Sequence, residues 1–379
     1  MAERALAEVF HPGEFIREEL EERGWTQTHL AEIMGRPSAT ISQIITGKKS
    51  VTPETARELA STFGTSAELW LNLQSAFDLS KVGPPDESIR DRAKIFEIAP
   101  VKEMERRGWI APCESIEELT SELEKFYDTK SLDEISQLRM AAKISAQNGS
   151  VLTPEQRAWC QRVLQLAKAV PAERYSEKAY ASGIDELRGL AAHPEQVNKI
   201  PRVLAQMGIR FVVVEHLQKT KIDGAALWLG EGWDKPVIAL SMRYDRIDSF
   251  WHTLFHECSH IKHKDQYALD VDLVGADRCL SNESLSEVEN RANTEAAEML
   301  IPRDKLQSFI LRTRPFYSSE RLIQFAHLIK IHPGIIAGQL QFKKEIDWSH
   351  HRKMLVKVKD LLISGALTDG WGTIISTRR

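Results

Sequence analysis

The 379-residue sequence predicts an α+β fold that is mostly α. Residues 11–79 place apolar side chains at helical spacing between helix start and stop signals, which predicts a bundle of five short helices. Residues 92–200 are also helix-patterned. From about residue 208 three short β-rich runs follow, and the chain is helical again after Met242. We therefore expect an N-terminal bundle, a helical middle region and a C-terminal domain with a small antiparallel sheet.

Composition shifts divide the chain into four parts. The segment KVGPPDES, with its Pro-Pro and glycine, marks a linker after the bundle. We predict a first domain over residues 1–80, a linker and helical region over 81–200, a further domain over 201–345 and a C-terminal extension over 346–379. The loop GEGWDK between the last two β-rich runs predicts a hairpin.

Each helix of the bundle is predicted from residues suited to its ends. The start signals are Pro12, Thr26, Ser38, Thr52-Pro53 and a capping box from Thr65 to Glu68, and the stop signals are Gly24, Gly35, Gly47 and Gly64. Twelve apolar positions are expected to fill one small core: Ile16, Leu20, Leu30, Met34, Ile41, Ile44, Ile45, Leu59, Phe63, Leu69, Trp70 and Leu73.

Charge and composition exclude several classes of protein. With a formal net charge of −4, the chain has no global basic field for binding nucleic acid, although a local patch remains possible. No apolar run approaches the ~20 residues that span a bilayer, and the first residues do not resemble a secretory signal. The four cysteines form no CxxC pair and are expected to be reduced thiols. We expect a cytoplasmic protein that does not enter a membrane.

The most informative motif is HECSH, residues 256–260, within the helix-patterned string DSFWHTLFHECSHIKHK. Side chains four residues apart share one face of a helix, so His256 and His260 can bind one zinc ion. Glu257 lies beside them, where it can take a proton from the water that the metal activates. Only about 0.05 HExxH matches are expected by chance in a chain of this composition. A coincidental pair of core histidines is the alternative.

A catalytic zinc needs a third protein ligand, and Glu289 in SEVENRANTEAAEMLIP is the best candidate. Its helix carries alanines small enough to approach the metal helix closely. Ser286 to Glu289 also spells a capping box, so Glu289 could instead cap its own helix. A second box, from Ser284 to Glu287, would free Glu289 to bind metal.

Three further residues of the motif helix are expected to have no direct role. His252 and His263 extend the histidine face by four residues before and three after, and are expected to lie around the site or on the surface. Cys258 falls on the apolar stripe and is expected to be a packed thiol.

HTLFHECSH followed by EVENRANTEAAEMLIP resembles the ImmA/IrrE family of zinc metallopeptidases. That family has a TLxHExxH helix and then E-x-x-A-N-x-x-A-x-x-L-L-x-P, with Met299 here in place of the first leucine. The resemblance covers about residues 200–345 and implies a zincin-like domain. It implies that His256, His260 and Glu289 hold zinc and that Glu257 is the catalytic acid and base.

Residues 10–64 resemble the HigA-type antitoxins, a branch of the Xre-like helix-turn-helix regulators, through the frame TQxxLAxxMG, then ISxxxxGKxxxTPxxAxxLA. The resemblance implies that a second helix, 26–34, crosses the DNA backbone and a third, 38–46, enters the major groove. The residues expected to face DNA are Gln27, Arg36, Ser38, Ala39, Thr40 and Gln43, with Lys48 and Lys49 near phosphates. Residues 1–80 carry 7 basic and 12 acidic residues. A protein-interaction bundle without DNA binding is therefore the alternative.

Two functions follow from these motifs. In the first, a DNA-binding regulator, expected to be a homodimer on its operator, carries a zinc endopeptidase that cleaves a partner regulator, a toxin or itself. An edge among the strands of 211–242 would hold the extended substrate. In the second, the protein is a non-enzymatic antitoxin and autorepressor whose zinc domain is structural or binds a toxin.

Overall fold

The computed structural model describes residues 9–83, 87–137, 152–230, 232–265, 268–271 and 287–370. The chain divides into two compact units, Met1–Ile89 and Arg90–Arg379. The first unit confirms the predicted five-helix bundle. Its helices are α1 (Pro12–Arg23), α2 (Gln27–Met34), α3 (Ser38–Ile45), α4 (Pro53–Phe63) and α5 (Ala67–Lys81).

Two of the predicted N-caps are confirmed by side-chain hydrogen bonds. The Thr26 hydroxyl accepts from the backbone N–H of His29 at 3.2 Å, and the Thr52 hydroxyl accepts from that of Thr55 at 3.3 Å. Each bond satisfies one of the amide groups that the first turn of a helix leaves without an internal partner. These caps fix where α2 and α4 begin.

Two other predicted caps are wrong. Pro37 is the N-cap of α3, and Ser38 is already helical with no capping bond from a side chain. At α5 the cap is Ser66, because the Thr65 hydroxyl accepts a hydrogen bond from the indole N–H of Trp70 at 2.8 Å. Trp70 is buried, and a buried indole N–H requires a partner. Tertiary packing therefore displaces the helix start by one residue.

The predicted core of the bundle is confirmed except at one position. Leu69 is 43% exposed, whereas Trp70 is 1% exposed. Consecutive helical residues point about 100° apart, so only one of the two can face the core. The inward face of α5 continues to Gln74, whose side-chain oxygen accepts from the backbone N–H of Val51 at 2.9 Å. Met34 and Leu73 are partly buried against the same core.

The second unit consists of helices around one sheet, and the boundary between the units falls within α6 (Glu87–Ile98). Its other helices are α7 (Val101–Arg106), α8 (Ile116–Tyr127), α9 (Leu132–Gln137), α10 (Pro154–Lys168), α11 (Glu177–Leu190), α12 (Ile200–Gln206), α13 (Ile247–His263), α14 (Glu287–Leu300), α15 (Arg303–Thr313), α16 (Ser319–Ile329), α17 (Pro333–Phe342) and α18 (Lys359–Ile363), with 3-10 turns at Pro194–Lys199 and Arg352–Met354. Among the described residues, no helix combines the length and apolarity needed to cross a membrane.

The sheet is mixed, so the prediction of an antiparallel sheet is wrong in part. Its strands are β1 (Arg210–Val214), β2 (Ile222–Trp228), β3 (Pro236–Leu240), β4 (Ala268–Val271) and β5 (Leu367–Asp369), in the order β4-β2-β3-β1-β5. The predicted β2–β3 hairpin is antiparallel, as is β2–β4, but β1 pairs in parallel with both β3 and β5.

The two outer strands were not predicted, because three or four residues are too few to establish a β period. β4 lies where only helix was expected, and β5 lies in the C-terminal extension. Since β4 and β5 occupy the edges of the sheet among the described residues, no strand of 211–242 is an edge strand there. The prediction that these strands include a free edge is therefore wrong.

Both faces of the sheet are covered by helices. Alternate strand residues point to opposite faces, so Phe211 and Val213 join the core that contains α13, whereas Val212 and Val214 join the core that contains α8 and α10. The indole N–H of Trp159 in α10 donates to the carbonyl of Val214 at 3.0 Å. The helical middle region thus packs on the face of the sheet opposite α13.

The C-terminal segment is tied to the same sheet through a buried carboxylate. Asp369, in β5, is 2% exposed and forms an ion pair with Arg162 of α10. It also accepts from the indole N–H of Trp109 at 3.1 Å. The described residues of 90–200 and 346–370 are therefore part of one packed unit with the described residues of 201–345.

Helix α17 packs closely on α13 through a glycine. A Cβ atom at Gly338 would lie 2.3 Å from a carboxylate oxygen of Asp248, at the start of α13. The absence of a side chain at position 338 therefore permits this approach. As a result, α13 is held between the sheet on one side and α14 and α17 on the other.

Candidate metal centre and nucleic-acid interface

The three predicted metal ligands meet in the second unit. One ligand atom from each of His256, His260 and Glu289 lies within 4.8 Å of the others. The Nε2 atoms of the two histidines are 2.9 Å apart. The Glu289 carboxylate lies 3.3 Å from His256 Nε2 and 3.6 Å from His260 Nε2. Residues from α13 and α14 thus form a compact set of two imidazoles and one carboxylate.

This set is almost completely removed from solvent. His256, Glu257 and His260 are 0% exposed and Glu289 is 4% exposed. Two buried imidazoles facing one buried carboxylate could hold a divalent metal ion. Three such ligands leave a coordination position for water or substrate.

Glu257 occupies a space that the sheet provides. A Cβ atom at Gly224, in β2, would lie 2.2 Å from Glu257 Oε1 and 2.8 Å from the Thr253 methyl group. The Glu257 carboxylate therefore lies directly against the backbone of the strand. Gly224 was not singled out from the sequence, where it reads only as part of a β-rich run; close packing against a helix is what requires glycine there.

Two more residues complete the surroundings of His260. Asp265 Oδ2 lies 2.9 Å from His260 Nδ1, and the same oxygen forms an ion pair with Arg291 of α14. Burial raises the pKa of the Asp265 carboxyl, but the hydrogen bonds from His260 and Arg291 outweigh burial and leave the pKa below its ordinary value. Neither residue was predicted, because no motif spacing links positions 260, 265 and 291.

His252 and His263, the other histidines of α13, lie around the site, as their helical spacing predicts. His252 Nε2 lies 3.3 Å from the Asn293 side-chain oxygen, and His263 Nε2 lies 2.8 Å from a Glu295 carboxylate oxygen. Cys258 is fully buried, and burial raises the pKa of its thiol. A thiol with a raised pKa is a poor nucleophile, in keeping with a packing role.

The two capping boxes proposed for α14 fall outside the described residues, since these begin again at 287 and exclude Ser284 and Ser286. Within the described residues, the Glu289 carboxylate contacts both His256 and His260. These contacts are what a metal ligand requires.

The residues expected to face DNA lie on α2, α3 and the loop after α3. Gln27 is the first residue of α2 and is exposed. On α3, Ser38, Ala39 and Gln43 are exposed and Thr40 is half-buried. Lys48 and Lys49 are exposed beyond the end of α3, and both backbone N–H groups donate to the Gln43 carbonyl, at 2.9 and 3.1 Å. α3 and the loop after it thus present uncharged polar side chains followed by two cations.

Arg36 differs from the other seven residues. Its guanidinium lies 3.0 Å from one Glu58 carboxylate oxygen and 3.2 Å from a Glu54 oxygen, and its side chain is 19% exposed. Arg36 therefore holds the turn between α2 and α3 against α4. A guanidinium paired in this way is less available to a phosphate group.

Comparison with known proteins finds matches to the first unit. Residues 16–70 match the family described as Helix-turn-helix. The uncharacterized HTH-type transcriptional regulator YddM of Escherichia coli strain K12 is 39% identical over 70 residues, which are 18% of this chain and 74% of that protein. Antitoxin HigA-1 of Vibrio cholerae serotype O1 is 43% identical over 68 residues, 18% of this chain and 64% of that protein.

A solved structure matches the same part of the chain. PA4674 from Pseudomonas aeruginosa, in complex with its operator DNA, has 33% sequence identity and a TM-score of 0.19. The match covers 19% of this chain and 78% of that one. Each of these three proteins thus matches less than a quarter of the chain.

The close contact at Gly224 gives a first prediction. Substitution Gly224→Ala should lower the free energy of unfolding by about 1–3 kcal/mol, because the added methyl group displaces a fully buried carboxylate. Gly189→Ala, in α11, is the matched control: a Cβ there meets no atom within 4 Å. It should leave stability unchanged or raise it by up to about 1 kcal/mol. Urea unfolding of the two variants distinguishes these outcomes, and a Gly224→Ala protein as stable as wild type would contradict the packing described.

Proposed function

Because the chain belongs to the helix-turn-helix family of transcriptional regulators through residues 16–70, we propose that it is a DNA-binding regulator that also carries a zinc-dependent endopeptidase site. The observation that carries the second part is the convergence of His256, His260 and Glu289 next to Glu257. Chemically, the set is the two-histidine, one-glutamate combination of a catalytic zinc site.

The DNA-binding part relies on α2 and α3. Helix α3 would enter the major groove, where Gln43 can read a base edge, while Lys48 and Lys49 neutralise phosphates. The excess of acidic over basic residues in 1–80 makes the affinity of a single bundle modest and sensitive to salt. A homodimer on an inverted repeat of its own operator would double the contacts.

The residues of the metal centre fit zinc by their donor chemistry. Neutral imidazole nitrogens and a carboxylate oxygen are ligands that zinc accepts. Glu289 would supply the negative charge that offsets burial of the cation. Zinc held there would polarise a carbonyl group and lower the pKa of water toward ~7.

Glu257 would do the proton transfer. Glu257 follows His256 directly on α13, and it is not one of the three grouped ligand residues. It would accept a proton from the attacking water and deliver it to the departing amine of the cleaved peptide bond. The strand backbone at Gly224 fixes where that carboxylate can lie. The substrate would be a partner regulator, a toxin or the chain itself, in the cytoplasm.

A second function is favoured by a specific relative. The N-terminal unit is 43% identical to a protein named Antitoxin HigA-1 over 68 residues. Under this alternative the chain is an autorepressor and antitoxin, and the metal centre stabilises the second unit or forms part of a surface that binds a toxin.

The DNA-binding proposal predicts different effects at different positions. Gln43→Ala should weaken binding to the operator by about 1–3 kcal/mol and leave binding to unrelated DNA unchanged, if Gln43 reads a base edge. Lys48→Ala and Lys49→Ala should weaken binding to both DNAs equally and reduce the dependence on salt. Titration of the upstream DNA of the gene and of a scrambled duplex, at several salt concentrations, measures both effects. A wild-type protein that folds but shows no preference for the upstream DNA over the scrambled duplex would argue for a protein-interaction bundle.

The endopeptidase proposal is tested at Glu257. Glu257→Gln should retain zinc and DNA binding but lose roughly 10²–10⁴-fold in cleavage rate, because the amide cannot accept the proton of water. In cells this variant should repress its target promoter and fail to release it after DNA damage or another stress. Glu298→Gln makes the same charge change at an exposed position of α14 and should behave as wild type. Identical induction in wild type and Glu257→Gln, with equal zinc content, would favour the antitoxin function.

A further inference from the structure

We propose that Asp265, held in place by Arg291, is the positioning residue that orients His260 for metal binding. This inference rests on the proposed zinc site and extends it beyond the three ligands. It is carried by contacts that fix Asp265 from three separate elements of the second unit.

The backbone brings Asp265 back to the helix it has just left. Lys264 is the C-cap of α13 and adopts the left-handed conformation, with φ of 54°. That turn reverses the chain, so the backbone N–H of Asp265 donates to the carbonyl of His260 at 3.0 Å. The indole N–H of Trp228, at the end of β2, donates to the Asp265 carbonyl at 3.3 Å. Helix α13 and the sheet therefore fix the position of residue 265.

The side chain of Asp265 then contacts the same histidine a second time. Its Oδ2 atom lies 2.9 Å from His260 Nδ1. Arg291 forms an ion pair with that oxygen from α14. Arg291 lies two residues after Glu289 on α14. This helix therefore supplies Glu289 to the site and also holds Asp265, which contacts His260. The Asp265–Arg291 ion pair thus connects His260 to the helix that carries Glu289.

The chemistry explains what this contact would do. His260 Nε2 faces His256 and Glu289, so Nδ1 is left to carry the proton. A carboxylate that accepts this proton fixes the tautomer and the ring orientation and makes Nε2 a stronger ligand. The Asp265 carboxylate would therefore act through His260, without touching metal or substrate.

A second carboxylate on α14 provides a matched control. Glu295 accepts from the Ser259 hydroxyl at 2.9 Å and pairs with His263 at 2.8 Å and with Lys262 at 3.3 Å. Glu295 thus joins α13 and α14 as Asp265 and Arg291 do, but its partners are not the proposed ligands. Loss of Glu295 removes a link between the helices and leaves His260 in place.

The test measures zinc affinity of the full chain by competition with a chromophoric chelator. Asp265→Ala should weaken zinc binding roughly 10–100-fold. Arg291→Gln should weaken it in the same direction by less, and Asp265→Asn should give an intermediate loss, since its amide oxygen still accepts from Nδ1–H. Glu295→Ala should bind zinc as wild type does. The visible absorption spectrum of the cobalt-substituted protein should change in Asp265→Ala and not in Glu295→Ala.

Each result has one meaning. Wild-type affinity and an unchanged cobalt spectrum in Asp265→Ala, Asp265→Asn and Arg291→Gln would overturn this inference and leave the zinc site intact. Equal losses in Glu295→Ala and Asp265→Ala would also overturn it, because helix contact alone would then explain both. A wild-type protein that binds no zinc would contradict the proposed function itself, and this inference with it. Thermal unfolding of the metal-free proteins identifies any variant that fails to fold.

Discussion

The second unit depends on the burial of ionisable side chains on one turn of α13. His256, Glu257 and His260 are all 0% exposed. Removing such groups from water costs several kcal/mol each unless polar or charged groups surround them. The neighbouring elements meet this requirement in different ways: α14 brings Glu289 to the histidines, and the turn after α13 brings Asp265 to His260. The packing of α14 and of the turn after α13 is therefore organised around one turn of α13.

The contact between the sheet and α13 also accommodates a buried ionisable side chain. Gly224 gives Glu257 room against the strand, and Gly338 lets α17 approach α13. On the opposite face, α8 and α10 cover the sheet with apolar residues, and the described residues of 81–200 contribute no ligand to the site. The described part of this segment therefore completes a hydrophobic core whose other side is formed by the sheet. Covering both faces is common where parallel strands contribute to a sheet.

Much of this arrangement could be predicted from local sequence. The helices of the bundle follow from their glycine stops and from caps such as Thr26 and Thr52, since each needs only neighbouring residues. The spacing of His256 and His260 fixed their common face in the same way. Glu289 could be found because its helix carries a recognisable pattern.

The features that could not be predicted depend on contacts between distant residues. Arg36, a residue expected to face DNA, pairs with Glu58, 22 residues later. β5 pairs with a strand about 150 residues earlier, and the Asp265–Arg291 pair has no local signature. Local patterns carry no information about such partners.

We propose that His256, His260 and Glu289 hold one zinc ion. Elemental analysis of the protein purified without chelator, alongside His260→Ala and His263→Ala, tests this proposal. His260 and His263 lie three residues apart on α13. His260 contacts Glu289, whereas His263 contacts Glu295. Wild type and His263→Ala should each contain about one zinc per chain, as three protein ligands require, and His260→Ala should contain little. No zinc in wild type, or equal zinc in all three proteins, would contradict the account.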